Sequence, residues 1–215
     1  LIPLMEAQAS SEIENIVTTN DELFKAANGA LPDVTPQVKE ALRYREALRA
    51  GHESLATRPI TTKTAIEVCS HIHARTAIIR DQLGTYIGNP TTGNRMYTPP
   101  GGRDVILDHL SAWERFLHSN HGLDPLVVMA LSHYQFEAIH PFFDGNGRTG
   151  RVLNLLILIE TGLLQLPILY LSGHVMRHKD TYYERLDAVT REDAWEPWIL
   201  FMLDGVESTA RWTLD

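Results

Sequence analysis

The 215-residue sequence contains a single cysteine, Cys69. That excludes an internal disulfide framework and a cysteine-rich zinc site, and it fits a reducing compartment. Also missing is any apolar run near the ~20 residues that a membrane-spanning helix needs. The nearest approach, Val152 to Ile159, is short, begins beside charged residues and reads as a buried helix. No signal-peptide pattern is visible, although the chain opens on Leu1 rather than Met, as an excised piece with its targeting information elsewhere would. Basic residues are in the minority, with 19 Lys and Arg against 27 Asp and Glu and a net charge of −8. Such a surface argues against a non-specific grip on nucleic acid, which needs clustered cations to displace counterions. It leaves room for a small basic pocket around a phosphate. What is present, 44% hydrophobic and 21% charged residues, is the balance of a globular chain able to bury a core. The expectation is one soluble cytoplasmic domain over 1–215, with no membrane and no direct nucleic-acid partner.

Helical periodicity dominates the chain. Ile13, Ile16 and Val17 lead toward Leu23, Phe24 and Ala27, which predicts one helix over about 8–28, stopped by Asn28-Gly29. Thr35-Pro36 opens the next, an N-cap followed by a proline whose missing N–H costs nothing at the first helical position. Further helices are predicted from Thr61 or Thr62 through Thr76, after Arg103, after Asp124-Pro125, from about Arg148 to Thr161, near Lys179 to Thr190 and from Pro197 to Trp212. The helix from Arg148 is apolar nearly all round, which places it at the centre of a bundle. One stretch, about 83–102, departs from the pattern. It reads LGTYIGNPTTGNRMYTPPGG, two short β-prone pieces around a Pro/Gly/Asn-rich turn, and predicts a hairpin. The fold class is therefore all-α, a helical bundle with one β-hairpin flap.

The chemistry concentrates in His140-Pro141-Phe142-Phe143-Asp144-Gly145-Asn146-Gly147-Arg148-Thr149-Gly150-Arg151. Gly145, Asn146 and Gly147 tolerate backbone angles that turn successive N–H groups toward one point, an anion nest. The nest runs into the N-terminus of the central helix, where unpaired amides and the helix dipole already favour phosphate. Arg148 and Arg151, three residues apart, share a face of the first turn and can clamp further oxygens. Asp144 is a hard oxygen ligand suited to a Mg²⁺ that keeps waters and bridges phosphates. His140 can take a proton at neutral pH. A calcium EF-hand is excluded, because Arg148, Thr149 and Leu155 stand where that loop needs Asp or Asn, Gly and Glu. A Walker loop is excluded too, since no Gly-Lys-Ser/Thr follows the glycines.

This stretch resembles the signature of Fic-domain proteins, His-x-Phe-x-Asp/Glu-Gly-Asn-Gly-Arg-x-x-Arg, at every specified position. The resemblance implies a mostly helical Fic fold, with the loop and helix at 140–161, and transfer of AMP from ATP to a Ser, Thr or Tyr hydroxyl of a target protein, the chain itself being one candidate. His140 would be the base and Asp144 would hold Mg²⁺. Gly145, Asn146, Gly147, Thr149 and Gly150 would line the anion hole and nucleotide site, with Arg148 on the β-phosphate and Arg151 on the γ-phosphate. Phe142 would anchor the loop in the core. The hairpin, ending at Tyr97-Thr98, is similar to the flap that holds a target segment extended by backbone pairing. Tyr182 and Tyr183 resemble the pair that borders the adenine, whereas Thr190 stands where some relatives place an Asn on the nucleotide.

Ser10-Ser11-Glu12-Ile13-Glu14-Asn15 is similar to the Fic inhibitory motif, Ser/Thr-x-x-x-Glu-Gly/Asn. Ser10 and Glu14 lie one helical turn apart and can face one pocket. By the resemblance, Glu14 would pair with Arg151 and keep it from the γ-phosphate, which marks the class whose inhibitory helix precedes the catalytic core. Three alternatives stay open: removal of AMP, with Glu14 orienting a water; use of another nucleotide; and a non-catalytic nucleotide-binding regulator. Relatives of this class also leave a homodimer open. Cys69 and the four tryptophans, Trp113, Trp195, Trp198 and Trp212, read as packing. His71 and His73 face different directions, and His118 with His121 lacks a third clustered ligand, so the latter pair reads as solvated surface.

Overall fold

The structure is a computed structural model that describes residues 1–31, 33–88 and 95–214. In chain order it comprises α1 (Ile2–Ile13), α2 (Asn20–Ala27), α3 (Pro36–Ser54), α4 (Thr62–His73), β1 (Ile87–Gly88), β2 (Arg95–Tyr97), α5 (Arg103–His118), α6 (Pro125–Ile139), α7 (Asn146–Glu160), α8 (Leu171–Arg177), α9 (Lys179–Glu192) and α10 (Trp195–Leu214). Among the described residues no helix is long and apolar enough to cross a membrane.

Local chemistry sets several helix starts. The Thr35 hydroxyl accepts from the Val38 N–H at 3.3 Å with Pro36 leading α3, and the Asp124 carboxylate accepts from the Leu126 N–H at 2.8 Å ahead of α6. The helix expected over about 8–28 is instead two. α1 stops at Ile13, Asn15 turns left-handed at φ 62°, and the stiff β-branched run Ile16-Val17-Thr18-Thr19 leaves the helix. Thr19 then opens α2 with a capping box. Its hydroxyl accepts from the Glu22 N–H at 3.2 Å, and the Glu22 carboxylate accepts from the Thr19 N–H at 3.1 Å. The apolar spacing ran on in register across a turn that only the capping residues reveal. α4 ends earlier than expected, with Ala74 left-handed at φ 50°, so Thr76 lies outside it. The short helix α8 was not foreseen, and it has no side-chain cap to announce it.

α7 is central, as its uniform apolarity predicts. Val152, Leu153, Leu155, Leu156, Ile157 and Leu158 are all buried, each worth roughly 1.5–3 kcal/mol relative to an exposed position. α3, α4 and α6 pack around it, while α1 lies across α3 and α8 and also touches α7. β1 and β2 pair antiparallel, with Ile87 opposite Tyr97. The expected turn of that hairpin, residues 89–94, lies outside the described residues. Cys69, Trp113 and Trp198 are core residues as expected, but Trp212 is half exposed and only leans on Tyr170. His118 is exposed, as expected, and its Nε2 lies 2.7 Å from the Ile60 carbonyl.

A buried carboxyl pins α1 to its neighbours. Glu6 is fully buried and accepts from the Ser172 N–H on α8 at 2.8 Å, from the Ser172 hydroxyl, and from the Tyr44 hydroxyl on α3 at 3.2 Å. Burial pushes its pKa up to about 7, against the pull of those hydrogen bonds and of Arg151. A folded-state pKa above the ordinary 4.5 contributes stability that is complete below that value and is lost as pH rises through about 7. Glu6→Gln is therefore expected to flatten the fall in unfolding free energy between about pH 5 and 8, measured by urea titration across that range. An unchanged slope would clear Glu6 of that role.

Candidate active site

α6 delivers His140. The helix ends because His140 turns left-handed at φ 49° and Pro141 cannot continue it. The turn is held from outside the motif by Arg80, whose guanidinium donates to the His140 carbonyl at 2.6 Å, the Ile139 carbonyl at 3.2 Å and the Pro100 carbonyl at 2.5 Å. Burial, reinforced by the charge of Arg80, depresses the His140 pKa to about 4, so the imidazole is neutral at pH 7. Its Nδ1 is buried with no hydrogen-bond partner among the described residues.

The loop that follows is closed by its own side chains. Asn146 accepts from the Phe142 N–H and donates to the Phe142 carbonyl, both at 2.8 Å, and Phe142 is buried against Phe136. The Asn146 side-chain amide is thus spent on clasping the loop. Gly145 sits at φ 81°, and a Cβ there would come 2.5 Å from Nε2 of His73, so both conformation and space require glycine. The loop thus ends on the first turn of α7, whose leading N–H groups have no intrahelical acceptor.

A cavity of about 190 Å³ opens there, with Gly147, His140, Arg151 and Glu14 on its wall. Arg151 is buried. Its Nε donates to the Ser10 hydroxyl at 2.8 Å, and its Nη2 donates to the Ser10 carbonyl at 2.9 Å and to the Glu14 carboxylate at 2.7 Å. Burial works against the guanidinium charge, but Glu14 and the neighbouring tyrosines outweigh it and hold Arg151 firmly protonated. Ser10 and Glu14, one helical turn apart, therefore both meet Arg151. Asn15 stands apart, where its side-chain oxygen accepts from Lys179 at 3.3 Å.

Arg148 does not join Arg151. It is buried, donates to Glu40 of α3 at 2.6 Å and lies 3.8 Å from Asp144, and it is absent from the cavity wall. The two Cβ atoms share a face, but side chains of this length diverge toward whichever carboxylate each can reach, Glu40 for one and Glu14 for the other. Thr149 and Gly150 are buried and are likewise absent from the wall, contrary to expectation. Tyr182 and Tyr183 both border the cavity. Tyr182 is also core, packed on Trp198 with its hydroxyl 2.8 Å from Nε2 of His133. Tyr97 lines the cavity and donates to the Ala138 carbonyl at 3.0 Å, and Thr98 is exposed just beyond β2.

Asp144 fits a phosphate-bridging divalent ion. Its carboxylate is largely exposed, Oδ1 accepts from the Gly145 N–H at 2.6 Å, and Oδ2 faces His73 at 3.9 Å. Among the described residues no group of three or more His, Cys, Asp or Glu forms a metal cage. One carboxylate beside an anion nest is the arrangement for Mg²⁺ that retains waters and takes its other ligands from substrate.

Four contributors escaped the sequence. Arg80, His73 and Glu40 come from elements far from the motif, and no local signal marks them. Glu137 could have been found, because it lies one turn before His140 on the same face of α6.

Comparison with known proteins agrees with this geometry. Protein adenylyltransferase Fic of Drosophila yakuba is 35% identical over 115 residues, 53% of this chain and 22% of its own length. That of Aedes aegypti is 34% identical over 117 residues, 53% of this chain and 21% of its own. The matched part is thus about a fifth of the curated relatives' length. Among solved structures, a Fic family protein from Desulfovibrio desulfuricans G20 superposes with a TM-score of 0.78 at 23% identity, covering 99% of this chain and 64% of that one. Fic-1 (residues 134–508) of C. elegans superposes with a TM-score of 0.77 at 20% identity, covering 98% and 62%. The profile of the Fic/DOC family matches residues 12–158, and with the loop, helix and cavity in place the chain belongs to that family.

Proposed function

We propose that this chain transfers AMP from ATP to a hydroxyl group of a target protein, and that Glu14 restrains it. The observation that carries the reading is the convergence on one cavity of a neutral His140, the amino end of α7 and Arg151. In the transfer, His140 takes the hydroxyl proton, the oxygen bonds to the α-phosphorus, and the bond from that phosphorus to the bridging oxygen breaks to release pyrophosphate. Gly147 leaves its backbone amide for the phosphates, Arg151 offers a cation, and Asp144 would hold Mg²⁺, which supplies charge neutralisation when bound. Arg148, committed to Glu40 and close to Asp144, acts by setting the carboxylate on the loop. The paired strands β1 and β2 offer a backbone edge on which a target segment can lie extended.

The restraint rests on the Arg151 contacts. With Ser10 and Glu14 holding its guanidinium, Arg151 is not available to the terminal phosphate, so ATP binds without reacting. A second reading draws on the position of Glu14 itself: a partly exposed carboxylate on the cavity wall can orient a water for AMP removal.

The test is incubation of the protein with Mg²⁺ and ATP, UTP or GTP, each labelled at the α-phosphorus, followed by autoradiography. Transfer of label from ATP above that from UTP and GTP is the expected outcome. Label from another donor would move the nucleotide assignment. Release of AMP from a labelled target without any forward transfer would favour the second reading.

A further inference from the structure

Glu137 is a carboxylic acid that the reading above leaves without a task. It lies on the cavity wall, yet its Oε1 is buried and has no hydrogen-bond partner among the described residues. Buried polar atoms without partners are rare in native proteins and call for a reason. Packing does not provide one. A Cβ on Gly150 would come 2.4 Å from that oxygen, so α7 closes over it without offering a donor. Nor is Glu137 the counter-ion of Arg151, whose hydrogen bonds go to Ser10 and Glu14. His133 packs on the same stretch of α7, with its ring 3.2 Å from the Gly150 Cβ position, and is itself kept neutral by burial and Arg151.

Oε1 is turned onto Gly150, so the rest of the carboxyl is what lines the cavity, and its position there indicates what it is for. The last two turns of α6 and the residue that ends it contribute to the wall in order: Tyr134, then Glu137 with Ala138, then His140. At 1.5 Å per residue the span from Tyr134 to His140 is roughly 9 Å. The His140 end holds Gly147 and Arg151, the side where phosphates belong. The Tyr134 end is closed by Leu186, Asp187 and Thr190, with the Tyr134 hydroxyl 3.0 Å from that of Thr190, an end that pairs an aromatic ring with polar groups and so suits a base. The sugar between them falls beside Glu137.

We propose that Glu137 reads a ribose hydroxyl of the bound nucleotide and so discriminates ATP from the analogue that lacks that hydroxyl. The proposal rests on the nucleotide reading above and assigns a residue to it. The chemistry suits the task. Burial pushes the Glu137 pKa up to about 7, with Arg151 opposing and Glu14 assisting, so the group can both donate to and accept from a hydroxyl near neutral pH.

The test is calorimetric binding of ATP, 2′-deoxy-ATP and 3′-deoxy-ATP, with Mg²⁺, to Glu14→Gly protein carrying Glu137, Glu137→Gln or Glu137→Leu. With Glu137 in place, one deoxy analogue is expected to bind roughly tenfold or more weakly than ATP. Glu137→Leu should lower ATP to the level of that analogue, and Glu137→Gln, which keeps a donor and an acceptor, should retain most of the preference. Glu137→Ala gives the same reading if leucine disturbs folding, as judged by thermal unfolding. Equal binding of all three nucleotides to the Glu137 protein, or a preference that survives in Glu137→Leu and Glu137→Ala, would overturn this assignment alone. Absence of ATP binding to the Glu14→Gly protein would overturn the nucleotide reading with it.

Discussion

His140→Ala is expected to lower AMP transfer by roughly two to four orders of magnitude, the usual contribution of a positioned general base. Binding of ATP should persist, because the amides of α7 and Arg151 are untouched. Thermal stability should change little or rise, since the change removes a buried imidazole nitrogen that lacks a partner. The pH dependence separates a base from a merely structural histidine. A base must be neutral to accept the proton, and the His140 pKa is held near 4 by burial and Arg80. Bound anionic phosphates raise that value, so transfer should be level across roughly pH 6.5–8 and decline as pH falls toward the pKa of the complex. Single-turnover rates measured from about pH 5 to 8 check this. A variant that retains the wild-type rate, or a wild-type rate that falls as pH rises through neutrality, would remove His140 from the proton transfer.

Glu14→Gly should act in the opposite direction, raising AMP transfer by roughly ten- to a hundredfold, equivalent to about 1.4–2.8 kcal/mol. The ion pair it breaks holds a buried guanidinium, and its release leaves Arg151 bonded to Ser10 alone. Stripping a buried cation of its carboxylate is destabilising by some 3–5 kcal/mol in closed interiors. Glu14 is one-third exposed, so the cost here should be smaller. Activity and stability should therefore move apart, with faster transfer and a lower melting temperature in the same protein. ATP at high concentration should restore part of the melting temperature, because its terminal phosphate replaces the lost carboxylate. Glu14→Gln, which keeps the bulk without the charge, should fall between wild type and glycine. Transfer by Glu14→Gly no faster than wild type would dismiss Glu14 as the restraint, whatever its effect on stability.

The sequence was most legible where one residue type can do only one thing. The apolar run after Gly150 made α7 central, Thr35 and Asp124 marked helix starts, and the glycines between Asp144 and Arg148 marked the loop. The site was legible to the same extent. Spacing put Ser10 and Glu14 on one side of a helix, and the structure lays both on Arg151. Periodicity failed at residues 14–19 because apolar spacing does not record backbone angles. The break was written instead in Asn15 and in the Thr19–Glu22 pair. Arg148 parts from Arg151 for a different reason. A shared helix face fixes where two Cβ atoms lie but not which distant carboxylate each side chain meets, and Glu40 is 108 positions away in the chain. Partners of that kind exist only after folding.

The bonds that Arg80 makes have a property of their own. It donates to the main-chain oxygens of Ile139, His140 and Pro100, and its own amide donates to Pro141. Every acceptor is peptide backbone, so almost any substitution at those four positions leaves an oxygen for Arg80 to hold. Pro100 follows the strand that ends at Tyr97, and His140 ends the helix that carries the base, so one guanidinium rivets together two stretches of chain some forty residues apart. A target drawn onto that strand would tug on the same rivet that sets the imidazole. Side-chain changes in either stretch leave the linkage between them in place, provided Arg80 itself is spared.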